Sequence, residues 1–283
     1  MFRKSASDKN RDLSWLDLSV LDALSPDGNT VLFDEGGQAS GSELGDIFLR
    51  KTDGAPAVRL ASKASRGVFS PNQKWILTFT QVGSGQAARE QLVYFPTGVG
   101  ERKFLEPYGI VRYIGLSWSP DARQVVFAGS ASGHEWRVYA QPLDGSKPRP
   151  ITGEISRPGE GEIDLISPDG KVVWGRDTDR QFRLYPMDGS LPRLIPGITS
   201  EDAWINWGPD SRTGYIFRPN ELPAKVFRID LVTGHKTLIA ALTPDDTIGV
   251  HGVDAIKTSP DGKAFAYSYT RALSELHLVS GLK

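Results

Sequence analysis

The chain has 283 residues, a formal net charge of −1, 39% hydrophobic and 24% charged residues, and no cysteine. That balance describes a folded globular chain, not a disordered or membrane-embedded one. It offers no electrostatic reason to bind nucleic acid, and it removes disulfide and thiolate chemistry. Residues 238–242 form one of the longest apolar runs, far short of the roughly 20 residues a membrane helix needs, so no direct membrane insertion is expected.

Residues 1–10 start basic but carry no apolar stretch, so they read as a polar, disordered leader and not as a secretory signal. The segment after them, Arg11-Asp12-Leu13-Ser14-Trp15-Leu16, is strand-like. From there one turn sequence repeats to the end of the chain. It reads Ser25-Pro26-Asp27-Gly28, Ser70-Pro71-Asn72-Gln73, Ser119-Pro120-Asp121-Ala122, Ser167-Pro168-Asp169-Gly170, Gly208-Pro209-Asp210-Ser211 and Ser259-Pro260-Asp261-Gly262, at intervals of 45, 49, 48, 41 and 51 residues. Strands punctuated at roughly 40–50 residues are the mark of a propeller, one blade per repeat. Proline presets φ at the second turn position, Asp or Asn suits the third, and Gly takes the left-handed conformation that follows. The residue before each turn is Leu24, Phe69, Trp118, Ile166, Trp207 or Thr258, bulky and apolar in five of six and suited to filling space between blades.

A second turn completes each repeat: Asp53-Gly54, Thr97-Gly98, Asp144-Gly145, Asp188-Gly189, Thr233-Gly234 and Ser280-Gly281. Asp-Gly between apolar runs is a strong hairpin signal. In the third repeat this divides the chain into strands at about 114–118, 124–129, 136–141 and 149–152. The outermost strand echoes at Val58, Lys103, Arg149, Arg193 and Thr237, with proline beside or within some copies as edge strands tolerate. After Ser280-Gly281 the sixth repeat has no fourth strand. The expectation is an all-β, six-bladed β-propeller of four-stranded antiparallel blades spanning residues 11–283 as one domain. Its ring would be closed by the N-terminal strand at about 11–16 completing the last blade, which removes open sheet edges.

These repeats resemble the Pro-Asp variety of WD-like repeat found in TolB-type propellers. Gly133-His134 and Gly234-His235 occur, but no Trp-Asp pair follows either. Strings such as Arg11-Asp12-Leu13-Ser14-Trp15, Leu49-Arg50-Lys51-Thr52-Asp53-Gly54, Lys147-Pro148-Arg149-Pro150-Ile151-Thr152 and the ending 269–278 are also similar to the C-terminal propellers of some bacterial receptor-like serine/threonine kinases. That second resemblance implies a sensor or interaction domain whose catalytic partner lies outside this sequence. It brings no catalytic residues, and it implies an extracytoplasmic location; without it the chain reads as cytoplasmic.

The sequence holds no G-x-S-x-G elbow, no His-Arg-Asp or Asp-Phe-Gly, and no P-loop. His134, His235, His251 and His277 fall at different stations in their repeats, so no zinc site is legible. Asp22, Glu162, Asp164, Asp202 and Asp254 occupy comparable stations and could face either a water-filled pore or a calcium ion, which takes hard oxygen ligands. The reading adopted has no cofactor and no metal. Long connections at 36–45, 83–90, 153–161 and 241–252 lie on the face opposite the tight turns, where binding residues usually sit. Each first strand starts near the axis at the end of a long connection. Arg66, Arg112, Tyr113, Glu162, Trp204, His251 and Asp254 are therefore expected around one channel mouth. The mixture of charges and aromatics suits a protein, peptide or small polar ligand bound by a monomeric, non-catalytic module. The alternative is a channel-mouth hydrolase or lactonase-like enzyme using Glu162, Asp164 and Asp254, with His251.

Overall fold

The computed structural model describes residues 1–6, 8–16, 18–37, 44–83, 89–159 and 162–272. Among these residues every regular element is a β-strand, and the strands fall into six antiparallel sheets. After β1 (Phe2–Arg3), blade one comprises β2 (Leu18–Leu24), β3 (Thr30–Gly36), β4 (Asp46–Lys51) and β5 (Val58–Ser62). Blade two comprises β6 (Ala64–Phe69), β7 (Trp75–Val82), β8 (Arg89–Pro96) and β9 (Lys103–Phe104), and blade three β10 (Ile110–Trp118), β11 (Gln124–Ala131), β12 (Arg137–Pro142) and β13 (Arg149–Pro150). Blade four contains β14 (Val172–Arg176), β15 (Phe182–Pro186) and β16 (Arg193–Leu194). Blade five contains β17 (Ala203–Trp207), β18 (Thr213–Phe217), β19 (Ala224–Asp230) and β20 (Lys236–Leu242), and blade six β21 (Val250–Thr258) and β22 (Phe265–Arg271), with β1 as its third strand. The six-bladed propeller expected from the repeats is the architecture found.

The repeated turn works as a small hydrogen-bonded unit. In five blades the Ser hydroxyl donates to the turn carboxylate or amide oxygen, at 2.6 Å in Ser25–Asp27 and 2.8 Å in Ser70–Asn72. The same hydroxyl accepts an N–H at the start of the second strand, 2.9 Å from Thr30 in blade one and 2.9 Å from Ala264, just before β22, in blade six. The fourth residue is left-handed in all six turns, including the non-glycine Gln73, Ala122 and Ser211, because the unit fixes the backbone there. Blade five lacks the serine. A Cβ on Gly208 would lie 2.0 Å from the Thr213 hydroxyl, which takes the missing group's place and donates to Asp210 at 2.8 Å.

Ring closure comes from the N-terminus, but not by the segment expected. β1 pairs with β22, with Phe2 opposite Ala266 and Arg3 opposite Phe265, and Arg11 forms a single bridge on the outer side of Phe2. The N-terminus thus fills the third position of blade six with residues first read as a disordered leader, and 11–16 contributes one bridge at the fourth position instead of a strand. The reason is apolar burial: Phe2 is 6% exposed and packs with Leu13, Leu21, Val31, Ala264 and Ala266 across the seam between the last and first blades. Leu13 is buried there too, whereas Trp15 is exposed under the Arg50 guanidinium, which also holds the Leu13 and Ser14 carbonyls. The turn at Ser280-Gly281 lies outside the described residues.

Blade four departs from the pattern at its inner edge. Where a first strand belongs, Asp164 has φ +57°, which interrupts an extended ladder. One bridge, Ile166 to Val173, survives. The segment leans instead on blade three, through Asp164 N–H to the Leu116 carbonyl and Leu165 N–H to the Ser117 hydroxyl.

Candidate functional site: the two mouths of the channel

The inner strands run from the long-loop face to the motif-turn face, so each mouth is assembled from one end of all six blades. On the long-loop side the ladders of blades one, two, three, five and six are each broken by a register shift in the first strand. Such bulges re-aim side chains. In blade two the bulge puts Arg66 at φ +61° and presents two successive N–H groups to blade one. Gly67 N–H reaches Asp22 at 3.0 Å and Arg66 N–H reaches Asp34 at 3.4 Å. A Cβ at Gly67 would lie 2.5 Å from the Leu32 side chain, so any larger residue there forces the buried Leu32 to shift.

Asp22 and Asp34 form a buried carboxyl pair. Burial, and then the Asp34 charge, push the Asp22 carboxyl well above the ordinary range, so it keeps its proton and donates it to Asp34. Burial also raises Asp34, to about 6. Beside them Glu90 is raised by burial and opposed by the Tyr113 N–H, 2.7 Å away, and by Arg66, Arg112 and Arg157. Arg112 and Arg157 are exposed, and the Arg157 guanidinium lies over the Trp136 ring at 5.8 Å.

Across the same mouth lies a 240 Å³ cavity lined by Glu162, Arg176, Asp202, Trp204 and Asp254, among others. Glu162 is buried and fully engaged, pairing with Arg176 and accepting from Trp204 N–H at 3.1 Å and Gly159 N–H at 2.6 Å. Asp202 is raised by burial but held below the usual carboxylate range overall by Thr199 and by Lys236, 2.9 Å away. Asp254 is exposed and accepts from the Thr270 hydroxyl at 2.8 Å.

The seven residues expected at this mouth therefore separate. Arg66 and Arg112 come together around Glu90, and Glu162, Trp204 and Asp254 share the cavity. His251 is exposed and lines neither. Tyr113 and Trp204 are corrected: both side chains turn into the core between blades, Tyr113 against Phe127 and Trp204 between Trp174 and Trp207 at 5.4 and 5.1 Å. Trp204 is 1% exposed and its indole N–H has no partner among the described residues, so its ring is held by packing. Among the described residues no three acidic or histidine side chains converge as a metal site; of the five carboxylates at comparable stations, Glu162, Asp202 and Asp254 line this cavity, Asp164 lines a cavity at the other end of the channel, and Asp22 faces Gly67.

Asp34, Glu90, Arg176 and Lys257 escaped the sequence reading. Lys257 had a visible signal: two residues before the repeated turn the other blades carry Ala23, Val68, Ser117, Leu165 and Asn206, none of them charged. At that end the channel opens into a 460 Å³ cavity. Its wall contains all six residues that precede the turns and all six turn prolines, so these residues line an opening as well as filling space between blades.

No family model matches the chain, and no curated protein matches it significantly. Solved structures do. A protein provisionally named TolB from Agrobacterium tumefaciens matches with a TM-score of 0.66 and 18% identity over 91% of this chain and 93% of that one. TolB from Acinetobacter baumannii matches with a TM-score of 0.62 and 18% identity, covering 85% of this chain and 64% of that one. A protein provisionally named as a 6-phosphogluconolactonase from Bacteroides uniformis matches with a TM-score of 0.51 and 22% identity over 85% and 75%. The likeness is one of fold, and the TolB-type resemblance of the repeats is matched by the architecture.

Proposed function

We propose that the chain is a non-catalytic binding module that takes an extended, oppositely charged peptide segment across the long-loop mouth. The observation that carries this reading is the division of charge there. Exposed Arg112 and Arg157 stand on the side of blades two to four; on the side of blades five and six stand exposed Asp254 and exposed Glu201, the latter 3.6 Å from Arg218. A segment acidic at one end and basic at the other complements both arcs, and complementarity of this kind sets orientation and on-rate. The shared fold with TolB structures supports a binding scaffold. The hydrolase alternative has a lactonase-like fold neighbour, but its groups do not converge: Asp164 lines the opposite mouth, Glu162 is engaged by Arg176 and two N–H donors, and His251 does not line the cavity.

The test is fluorescence anisotropy with a labelled peptide, acidic at one end and basic at the other, against all-acidic and all-basic controls. The mixed peptide should bind best and weaken with salt. Arg112→Ala and Asp254→Asn should each reduce its affinity while leaving the melting temperature unchanged. Equal binding of all three peptides, with both variants behaving as the parent, overturns the assignment.

A further inference from the structure

The motif-turn mouth has the build of a second, separate site. The 460 Å³ cavity has the size of a small-molecule pocket. Its wall is apolar and aromatic, with Leu24, Phe69, Trp118, Ile166 and Trp207, and the turn prolines form a largely exposed rim. Three polar side chains reach it from the channel: Asn206, Lys257 and Asp164.

Their hydrogen-bond accounts differ. The Asn206 oxygen accepts Thr258 N–H and hydroxyl, both at 3.1 Å, and its amide donates to the Trp207 carbonyl at 3.0 Å. Lys257 donates to the Ile205 carbonyl at 3.4 Å. The Asp164 carboxylate accepts no hydrogen bond from a described residue; only the nearby Lys257 charge supports it against burial. Yet its backbone is clamped on every side. The N–H is held by Leu116, and the carbonyl receives the indole N–H groups of both Trp174, at 3.2 Å, and Trp207, at 2.8 Å. A non-glycine residue at φ +57° is strained and persists only where its surroundings impose it, commonly at ligand sites. Here the imposed geometry holds a half-buried carboxylate, with no donor from a described residue, beside an apolar cup.

We infer that this mouth binds a small amine with a flat apolar body, its ammonium donating to Asp164 and its body seated among Phe69, Trp118 and Trp207. An ammonium would make a charge-assisted hydrogen bond to this half-buried carboxylate, and aromatic walls favour a cation beside them. Lys257 opposes a second cation, so removing its charge strengthens the ligand.

Tryptamine and indole-3-propionate, which share the indole and differ in the charge at its end, serve as probes in saturation-transfer NMR and calorimetry. Tryptamine should bind at least about tenfold more tightly, Asp164→Asn should remove that preference, Lys257→Met should increase tryptamine affinity, and Arg112→Ala at the opposite mouth should leave it unchanged. Because the chain lacks cysteine, Leu24→Cys places a single thiol in the cavity wall, and tryptamine must slow its modification by iodoacetamide; this arm does not depend on Asp164→Asn folding. Equal affinity for the two probes, no saturable binding at millimolar concentrations, or an unprotected thiol overturns the site.

Discussion

At the motif-turn mouth each blade supplies a turn proline and the residue before the turn, and five of those six pre-turn residues are bulky and apolar. Five residues before the first turn residue of each blade, toward the long-loop mouth, the stations hold Val20, Ser65, Ile114, Glu162, Ala203 and Asp254. One end repeats because a hydrogen-bonded turn dictates it: the Ser hydroxyl, the left-handed fourth residue and the ladder all need the same local chemistry. The other end is released from that demand. Bulges and long connections vary there blade by blade, and buried carboxyls, arginines and a left-handed Arg66 collect. Regularity marks what folding requires, and irregularity marks where chemistry is free to differ.

Both mouths exist only while the ring is closed, so the largest effect should come from β1. Deleting residues 1–11 removes Phe2 from the seam. Truncating a buried Phe alone costs about 3–5 kcal/mol, a large part of a usual margin of about 5–15 kcal/mol. Expected outcomes are aggregation on size-exclusion chromatography and a sharply lower melting temperature, with both mouths losing ligand together. A monomeric deletion variant melting like the parent would show that closure does not rest on this strand.

Trp204 and Arg112 sharpen the contrast within one mouth. Trp204→Ala empties a stack of three tryptophans and should cost about 3–5 kcal/mol, read in urea unfolding. Arg112→Ala, at an exposed position, should stay within about 0.5 kcal/mol and act on peptide affinity alone. A stable Trp204→Ala that loses peptide would return Trp204 to the binding surface.

The blade count, the turns and all five outer strands were legible because each rests on local chemistry repeated along the chain. Closure was half legible: the missing strand implied an N-terminal donor, but Phe2 sits among polar neighbours and no periodicity singles it out from Leu13. The mouth was less legible still. First-strand alternation would place Tyr113 and Trp204 at the rim, yet bulges between Ile110 and Ser117 and between Trp204 and Asn206 shift the side-chain phase, and a shift of one residue exchanges core for channel. Asp34 and Glu90 come from second and third strands, so no reading of first strands alone finds them.

The two mouths should also respond to acid in opposite directions. The Asp34 carboxyl is held up at about 6 against an ordinary 3.8, so the folded form binds that proton more tightly. Its contribution is present below about pH 4 and lost as pH rises through about 6. The turn carboxylates Asp27, Asp121 and Asp261 are held low, first by their Ser hydroxyls; their contribution is present above about pH 4 and lost as pH falls. Asp34→Asn should flatten the melting-temperature profile between about pH 4 and 6 and raise stability at neutral pH relative to the parent. An unchanged profile would mean the carboxyl pair does not share a proton.

The smallest expected effect probes how far the turn chemistry alone sets the regular mouth. In blade five Gly208 and Thr213 stand where blade six has Ser259 and Ala264, and each pair supplies one hydroxyl to the turn carboxylate, at 2.8 Å from Thr213 and 2.6 Å from Ser259. Thr213→Ala removes that hydroxyl and should cost about 1 kcal/mol. Gly208→Ser alone forces a new side chain onto the Thr213 hydroxyl, since even a Cβ would approach it to 2.0 Å, and should cost more. The double variant reproduces the blade-six pair, so it should recover most of the parent's stability. The pair would then show a coupling energy opposite in sign to the two single losses, measured by a double-mutant cycle in urea. Simple addition of the two losses would mean that the hydroxyl's position, and not merely its presence, is fixed by the rest of blade five. The uniformity of this mouth would then owe more to packing around each turn than to the turn itself.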